Sequence, residues 1–375
     1  MSSATMNETI RKKITADCGA YADILLRVWR NFQHVPGKRA NAGLSPQELS
    51  IMAESIKTLS SGLTGERELI GSRYLSDPDM LGAYLLYFWQ MSYLQARHAL
   101  ALLPFKPKMA LDLGCGPGPV SMALNDLGAS VTGADYSKDA LSLARSIAAE
   151  AGKTMRFLPW DAVKNTIPDG WFDCIVFSHV LNELWSGEDR TELRTDLVEK
   201  ASESLTDNGM IVVIEPALLE ISRDTLRIRD ELAQRGFFIT YPCTGNYSCP
   251  ALLTDTGMCH TAFEYERPAL LESIVKKAGF KKDALKMTVF LFSRKKPSIS
   301  TNSYRVVSDM METKNGRLRF LICGNGERIS LSCAKSDRNS ASSRLRSLRR
   351  GDLISIQNAE KRENGFGITE ATVIV

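Results

Sequence analysis

The chain has 375 residues, 44% of them hydrophobic and 24% charged, with a formal net charge of +4. That composition excludes a disordered or fibrous polymer, and the length exceeds what one compact core supports, so two or three globular domains are expected. The opening "MSSATMNETIRKKITADCGA" has no apolar secretion segment, and Glu8 and Asp17 do not suit an acid-poor transit peptide. A reducing compartment is therefore expected, where grouped cysteines more often hold metal than pair as disulfides.

Residues 1–105 read as a helical N-terminal region. "YADILLRVWRNF", "SPQELSIMAESIKTLSSGL" and "DPDMLGAYLLYFWQMSYLQARHALALL" place apolar residues at helical spacing, punctuated by Pro36, Gly62, Gly65 and Pro78. Ser45 before Pro46 and Asp77 before Pro78 mark helix starts. Met80 to Ala96 carries no charge, but it is short for a hydrocarbon core and contains Gln90, Ser92, Gln95 and three tyrosines. It reads as a buried amphipathic helix, and no membrane partner is expected.

From residue 106 to 296 the pattern becomes short apolar runs alternating with helices. The runs are 109–113, 130–135, 154–159, 173–178, 210–216 and 287–293, with a helix at 222–235 after the fifth. Strand and helix in turn imply an α/β fold with a mostly parallel sheet covered on both faces. Between that helix and the last strand lies a Cys-rich insertion, 236–263. A polar, Pro297-containing linker follows at 296–302.

Residues 303–375 show short β-like runs, "YRVVSDM", "RLRFLIC", "RISLSC", "DLISIQ" and "ITEATVIV", with little helical pattern. A small basic β domain is expected, an OB-like barrel. Residues 298–375 hold 13 Lys and Arg against 8 Asp and Glu, while the remainder holds 34 against 35, so the basic excess lies in this tail. Arg344, Arg346, Arg349 and Arg350 form its densest patch; "KKAGFKKDALK" with "SRKKP" forms a second. Such charge is either solvated surface or a site for a polyanion such as RNA.

In "LDLGCGPGPVSMAL", Gly114, Gly116 and Gly118 stand between a strand and a helix, where glycine lets the backbone turn tightly and approach a ligand. The third glycine comes one residue too early for a dinucleotide fingerprint. With Asp112 before the loop and Asp135 ending the second strand, the run resembles the S-adenosyl-L-methionine (SAM) loop of class I methyltransferases. The resemblance implies a Rossmann-like SAM-dependent fold, ribose contact by Asp135 and adenine contact by Asp161 in "FLPWDA". Cys115 reads as a small buried residue.

At the fourth strand, "DCIVFSHVLNELW" brings Ser178, His179, Asn182 and Glu183 to the end of the sheet where such folds bind ligands. Methyl transfer needs alignment and, for a protonated nucleophile, a base, for which His179 and Glu183 are the candidates. Equally, His179 packs beneath the cofactor while Asn182 and Glu183 start a helix. No Pro-Pro-aromatic motif is present. The "PC" of "YPCTG" resembles cytosine-C5 methyltransferases but follows the fifth strand rather than the fourth.

Cys243, Cys249 and Cys259 are spaced more loosely than the C-x2-4-C pairs of structural zinc, which suits a larger object. Pro250 after Cys249 resembles the Cys-Pro ending of ferredoxin ligand runs. A fourth ligand is open among His260, Cys323 and Cys333. The C-x3-C-x2-C run of radical SAM enzymes is absent.

Taken together, "LTGERELIGSRYLSDPDMLGAYLLYFWQMSYLQAR", "LDLGCGPG", "SHVLNELW", "YPCTGNYSCPALL", "CHTAFEYERP" and "FLICGNGE" resemble the ribosomal small-subunit methyltransferase-like family, known from mitochondrial assembly factors with bacterial relatives. The resemblance spans nearly the whole chain. It implies a 4Fe-4S cluster on Cys243, Cys249, Cys259 and Cys323, with zinc as the alternative, and Cys18, Cys174 and Cys333 as ordinary residues. Thr244 and Gly245 stand where the family often has Pro-His, which keeps His260 open as a substitute ligand. It further implies a monomer bound to the small ribosomal subunit and its rRNA, as an rRNA methyltransferase or as a non-catalytic RNA-binding assembly factor. A methyltransferase acting on a protein or small molecule, with structural zinc, is the other alternative. Cytoplasm is the expected location and the mitochondrial matrix the alternative.

Overall fold

The computed structural model describes residues 7–33, 43–61, 77–280, 283–297 and 303–375. Pro36, Gly62, Gly65, residues 63–76 of the first family-like stretch and residues 298–302 of the expected linker lie outside the described residues.

The N-terminal region contains helices α1 (Glu8–Gly19), α2 (Ala22–Phe32), α3 (Pro46–Ser60) and α4 (Pro78–Ala83), then a π-helical turn, Tyr84–Trp89, running into α5 (Gln90–Leu100). Both expected starts are capped. The Ser45 hydroxyl accepts from Glu48 N while the Glu48 carboxylate accepts from Ser45 N, a reciprocal pair that satisfies two otherwise orphaned donors. The Asp77 carboxylate accepts from the backbone of Asp79 and Met80. Among the described residues, no helix is long and apolar enough to cross a membrane.

The first sheet contains β1 (Met109–Leu113), β2 (Ser130–Asp135), β3 (Arg156–Pro159), β4 (Phe172–Ser178), β5 (Leu205–Glu215), β6 (Phe238–Tyr241), β7 (Thr261–Phe263) and β8 (Leu285–Ser293). Its order is β3-β2-β1-β4-β5-β8-β6, with β7 also on β8. Neighbours from β3 to β5 are parallel, whereas β8 runs antiparallel to β5, β6 and β7. This is a class I methyltransferase-like Rossmann fold.

Helices α6 (Pro119–Asp126), α7 (Lys138–Glu150) and α10 (Ala269–Ala278), together with the N-terminal helices, cover one face; α8 (Arg190–Ser202) and α9 (Leu219–Gln234) cover the other. The apolar runs are continuous because both faces are buried. Cys174, Val176, Val212 and Ile214 point into the first core, and Ile175, Phe177, Ile211 and Val213 into the second. Burying each large side chain contributes about 1.5–3 kcal/mol.

Two boundaries differ from expectation. β6 is an edge strand of the main sheet, so the Cys-rich excursion proper is residues 242–260. The C-terminal region, β9 (Ser303–Val306), β10 (Met311–Glu312), β11 (Arg317–Gly324), β12 (Glu327–Ala334), β13 (Leu353–Gln357), β14 (Glu360–Arg362), β15 (Gly365–Gly367) and β16 (Val373–Ile374), is an added sheet with its own core around Phe320, Ile322 and Leu331. Its pairings run as an open path, β14-β15-β12-β11-β9-β13-β16, with β10 on β11, so the expected closed barrel is not confirmed. It also holds a helix, α11 (Ser340–Ser347), which the sequence pattern did not indicate. Asn339 caps it through Ser342 N, and its serines and arginines hide the short buried stripe of Ala341 and Leu345.

The N-terminal helices are tied to the sheet domain through Asp126 at the end of α6. Its carboxylate accepts from Tyr21 Oη at 3.0 Å, Tyr93 Oη at 2.5 Å and Lys153 Nζ at 2.5 Å. Replacing Asp126 by Ala leaves two phenols without their acceptor in a half-buried site and the Lys153 ammonium with only Asn125 Oδ1. The expected cost is about 2–4 kcal/mol, read as a lowered Tm. An unchanged Tm would remove Asp126 as the joint.

Candidate functional site

The glycine loop leaves β1 at the switch point between β1 and β4, where open α/β sheets form a ligand crevice. Its glycines serve different ends. At Gly114 φ is +73°, and a Cβ would lie 2.4 Å from Val180 Cγ2, so the chain after β4 packs directly on the backbone here. At Gly116 φ is +52°, and a Cβ would meet only Tyr84 Oη, at 3.7 Å. That opening is a cradle a side chain would fill, and it fits a ligand laid against the loop. Gly118, also at positive φ, caps α6.

Asp135 Oδ2 accepts from Gly116 N and Oδ1 from Ser137 N, both at 2.8 Å. The carboxylate thereby holds the loop in shape, and each oxygen keeps a lone-pair direction for a further donor. Tyr136 beside it is 65% exposed. Asp112 lies beneath the loop: Oδ2 accepts from Ser121 Oγ at 2.6 Å, and the buried Oδ1 has no partner. Asp161 follows β3, where Trp160 N donates to Asp135 O; its carboxylate accepts from Val163 N and pairs with Lys164. Those contacts lower its pKa, the Val163 N–H most.

After β4, His179 sits at φ +58° with its Nε2 2.8 Å from Gln95 Oε1, and burial lowers its pKa to about 4. Asn182 Nδ2 donates to Glu215 Oε2 at 2.6 Å. Burial of Glu215 at the end of β5 pushes its pKa up to about 8. Glu183 is exposed. Tyr84, Gln95 and Glu215 are neighbours that sequence reading missed. The one signal for Glu215 was an acid ending an otherwise apolar strand, "MIVVIEP". Tyr84 and Gln95 gave none, since they come from the N-terminal helices.

The second part of the site is a pocket lined by Cys243, Cys249, Cys259 and Cys323, enclosing about 480 Å³ free of protein atoms, some of it open solvent. Helix α9 organises its loop. Ser222 Oγ donates to Cys259 O and accepts from Cys259 N, Asp230 accepts from Cys249 N, and Arg223 donates to Gly257 O. The β region supplies Cys323 and, from β12, Arg328, whose two Nη groups donate to Met258 O at 3.2 and 3.1 Å. Arg305 Nε donates to Pro242 O at 2.8 Å. Burial first, and mutual repulsion second, push the Cys249 and Cys323 thiols up to about 12, and burial does the same for Cys259.

His260 and Cys333 are not among the residues lining this pocket. Cys333 belongs to the core of the β region, and Cys18, Cys115 and Cys174 are buried. Among the described residues, no three His, Cys, Asp or Glu side chains stand as a set that could hold a metal ion. The expected zinc and 4Fe-4S centres are therefore not shown; a pocket shared by the four thiols is. The lining arginines also escaped sequence reading, because one lies in a helix and two in strands far from the cysteine run.

Burial raises the Asp112 carboxyl from 3.8 to about 7. Its folded-state pKa lies above the unfolded one, so its contribution is fully present below 3.8 and is lost as pH rises through about 7. Asp112→Asn keeps an acceptor for Ser121 and removes that loss. The ligand-free variant should gain stability, on the order of 1–4 kcal/mol, at pH 8.5 and much less at pH 5. Equal shifts in Tm at both pH values would contradict this.

The chain is 39% identical over 74 residues to a demethylmenaquinone methyltransferase of Thermus thermophilus, a match that takes in 19% of this chain and 34% of that protein. The chain thus spans about a third of the length of that curated relative. Among solved structures, a ribosomal protein L11 methylase from Lactobacillus delbrueckii subsp. bulgaricus is similar with 20% identity and a TM-score of 0.33, over 55% of this chain and 78% of that one. A methyltransferase from Pyrococcus furiosus is similar with 14% identity and a TM-score of 0.38, over 54% and 82%. With scores this low, the fold rests on the strand order of the chain itself.

Residues 83–355 match the family described as mitochondrial small ribosomal subunit Rsm22. That description overturns the cytoplasmic location expected from the N-terminal residues, whose composition is a weak guide to targeting. The match runs from the π-helical turn through the glycine loop and all four pocket cysteines into β13, and the chain belongs to the mitochondrial small ribosomal subunit Rsm22 family.

Proposed function

We propose that the chain is an assembly factor of the small ribosomal subunit. In this reading it binds rRNA through its basic β region, holds SAM in the class I fold without turning it over, and carries a 4Fe-4S cluster on Cys243, Cys249, Cys259 and Cys323. One observation favours assembly over catalysis: the state of the bases. His179 is committed to Gln95 and, with a pKa near 4, is a poor proton acceptor at neutral pH. The Asn182 amide is tied to Glu215.

Bound SAM would supply an activated methyl group. The residues that would hold it are Gly114, Gly116 and Gly118 along the loop, Asp135 toward the ribose and Asp161 toward the adenine, with Asp112 supporting the loop from below. The intact loop keeps rRNA methylation as the second reading. Methyl mapping of small-subunit rRNA from cells lacking the protein separates the two: assembly predicts no missing mark, and a missing mark restored by the gene sinks it. An Asp135→Ala variant is expected to lose at least tenfold in SAM affinity by calorimetry while still supporting assembly.

The cluster reading is supported by four thiols that line one pocket. A zinc ion needs its sulfurs about 2.3 Å from one point, whereas a polynuclear centre takes a wider frame. Cys323→Ser should abolish iron and sulfide binding in anaerobically purified protein, and Cys333→Ser should leave both intact. Colourless wild-type protein carrying stoichiometric zinc would end this reading.

RNA binding is supported by the tail's charge, of which Arg344 and Arg349 are exposed, whereas Arg346 and Arg350 are partly buried. Arg344→Ala with Arg349→Ala should lower rRNA affinity at all sequences and flatten its salt dependence by about two units of slope. An unchanged slope would move the contact elsewhere, for example to Lys276 and Lys277 of the second basic stretch.

A further inference from the structure

The pocket that collects four thiols also collects three guanidiniums: Arg229 from α9, Arg305 from β9 and Arg328 from β12. Each acts on the thiols electrostatically. Arg229 acts on Cys243, Cys249 and Cys323, Arg305 on Cys243 and Cys259, and Arg328 on Cys259 and Cys323. Positive charge of this density around sulfur is not explained by ion pairing, because among the described residues the one carboxylate bonded to any of the three is Asp230, on Arg229.

Their donors are spent unequally. Arg305 uses Nε on Pro242 O and Nη1 on Gly351 O, so it anchors the seam and supplies charge. Arg229, whose side chain is 3% exposed, gives its Nη groups to Tyr247 O, Gly245 O and Asp230. Arg328 gives both Nη groups to Met258 O. In each of these two, the Nε atom is buried and has no hydrogen-bond partner. Folded proteins rarely leave a buried N–H donor unpaired, and two such donors belong to residues that line one thiol pocket, where a bound group would offer acceptors.

We propose that the Nε–H groups of Arg229 and Arg328 donate to sulfur atoms of the iron–sulfur centre held on the four thiols, and thereby set its reduction potential. The inference rests on the cluster reading above. A thiolate-ligated cluster is anionic and gains a further negative charge on reduction, so nearby guanidiniums and N–H···S bonds favour the reduced state and raise the potential. Arg229 and Arg328 are positioning residues here, not ligands.

The test uses the full chain, purified anaerobically, as wild type, Arg328→Gln, Arg328→Lys and Arg229→Gln. Iron and acid-labile sulfide are assayed first, and the midpoint potential is then read by absorbance and electron paramagnetic resonance in a potentiometric cell. The expected result is wild-type iron and sulfide content in the Arg328 variants, a midpoint potential lowered in Arg328→Gln, and a smaller lowering in Arg328→Lys, which keeps the charge but loses the Nε–H. Arg229→Gln should lower it as well. Wild type lacking iron and sulfide sinks the cluster reading and this inference with it. A loaded wild type whose potential is unmoved in the variants sinks this inference alone. If neither Arg328 variant loads iron, Arg328 is a scaffold residue and the tuning role is overturned.

Discussion

The C-terminal β region is fastened to the methyltransferase-like domain by guanidiniums bonded to backbone carbonyls, and the rest of the structure depends on that seam. Arg305 reaches Pro242 O, Arg328 reaches Met258 O, and the tip of the β11–β12 hairpin brings Cys323 to the same pocket as the three loop cysteines. A charge-assisted bond to a carbonyl is directional, so these contacts fix an orientation as well as an attachment. Arg305 also lies over the Tyr241 ring, 5.0 Å from its centroid, at the point where the edge strand gives way to the cysteine loop. A polar seam of this kind needs little apolar area, which agrees with the separate hydrophobic cores on its two sides.

The N-terminal helices do comparable work at the other end of the sheet. Trp89 Nε1 donates to Pro117 O within the glycine loop, and the π-helical turn that Trp89 ends sets Tyr84 against Gly116. A π turn adds a residue to the helical repeat and rotates the side chains that follow, and such turns recur at functional sites. Gln95 on the next helix reaches His179. The crevice is thus roofed by a region that belongs to none of the alternating strands and helices, and the side chains completing it come from there.

What the sequence made legible follows from local rules. β1 and β2 coincide with the expected runs because both faces of a parallel sheet are buried and their strands read as short continuous apolar blocks. Ser45 and Asp77 were legible as caps because capping is chemistry within four residues. The four cysteines of the pocket were named from a resemblance, and no local rule would have joined Cys323 to residues more than sixty positions earlier. The arginines were illegible for the same reason: an arginine in "TLRIRDELAQ" reads as helix surface until the loop folded over it is known. Helix α11 was hidden by serine and arginine, which mask the amphipathic period, and the open path of the second sheet depends on pairings that no strand pattern encodes.

The two parts of the site share a support. Glu215, which holds Asn182 at the crevice, is the register partner of Thr288 across β5 and β8, and Thr288 Oγ1 donates to Cys259 O. One rung of the sheet therefore carries a crevice residue at one end and the backbone of a pocket cysteine at the other. Glu215 is buried and satisfied through Asn182, so a shift of β8 that moved Thr288 would have to move this pair or leave a buried carboxyl without its partner. Packed interiors resist such movement, and the economical outcome is that the crevice and the cysteine pocket keep one geometry together.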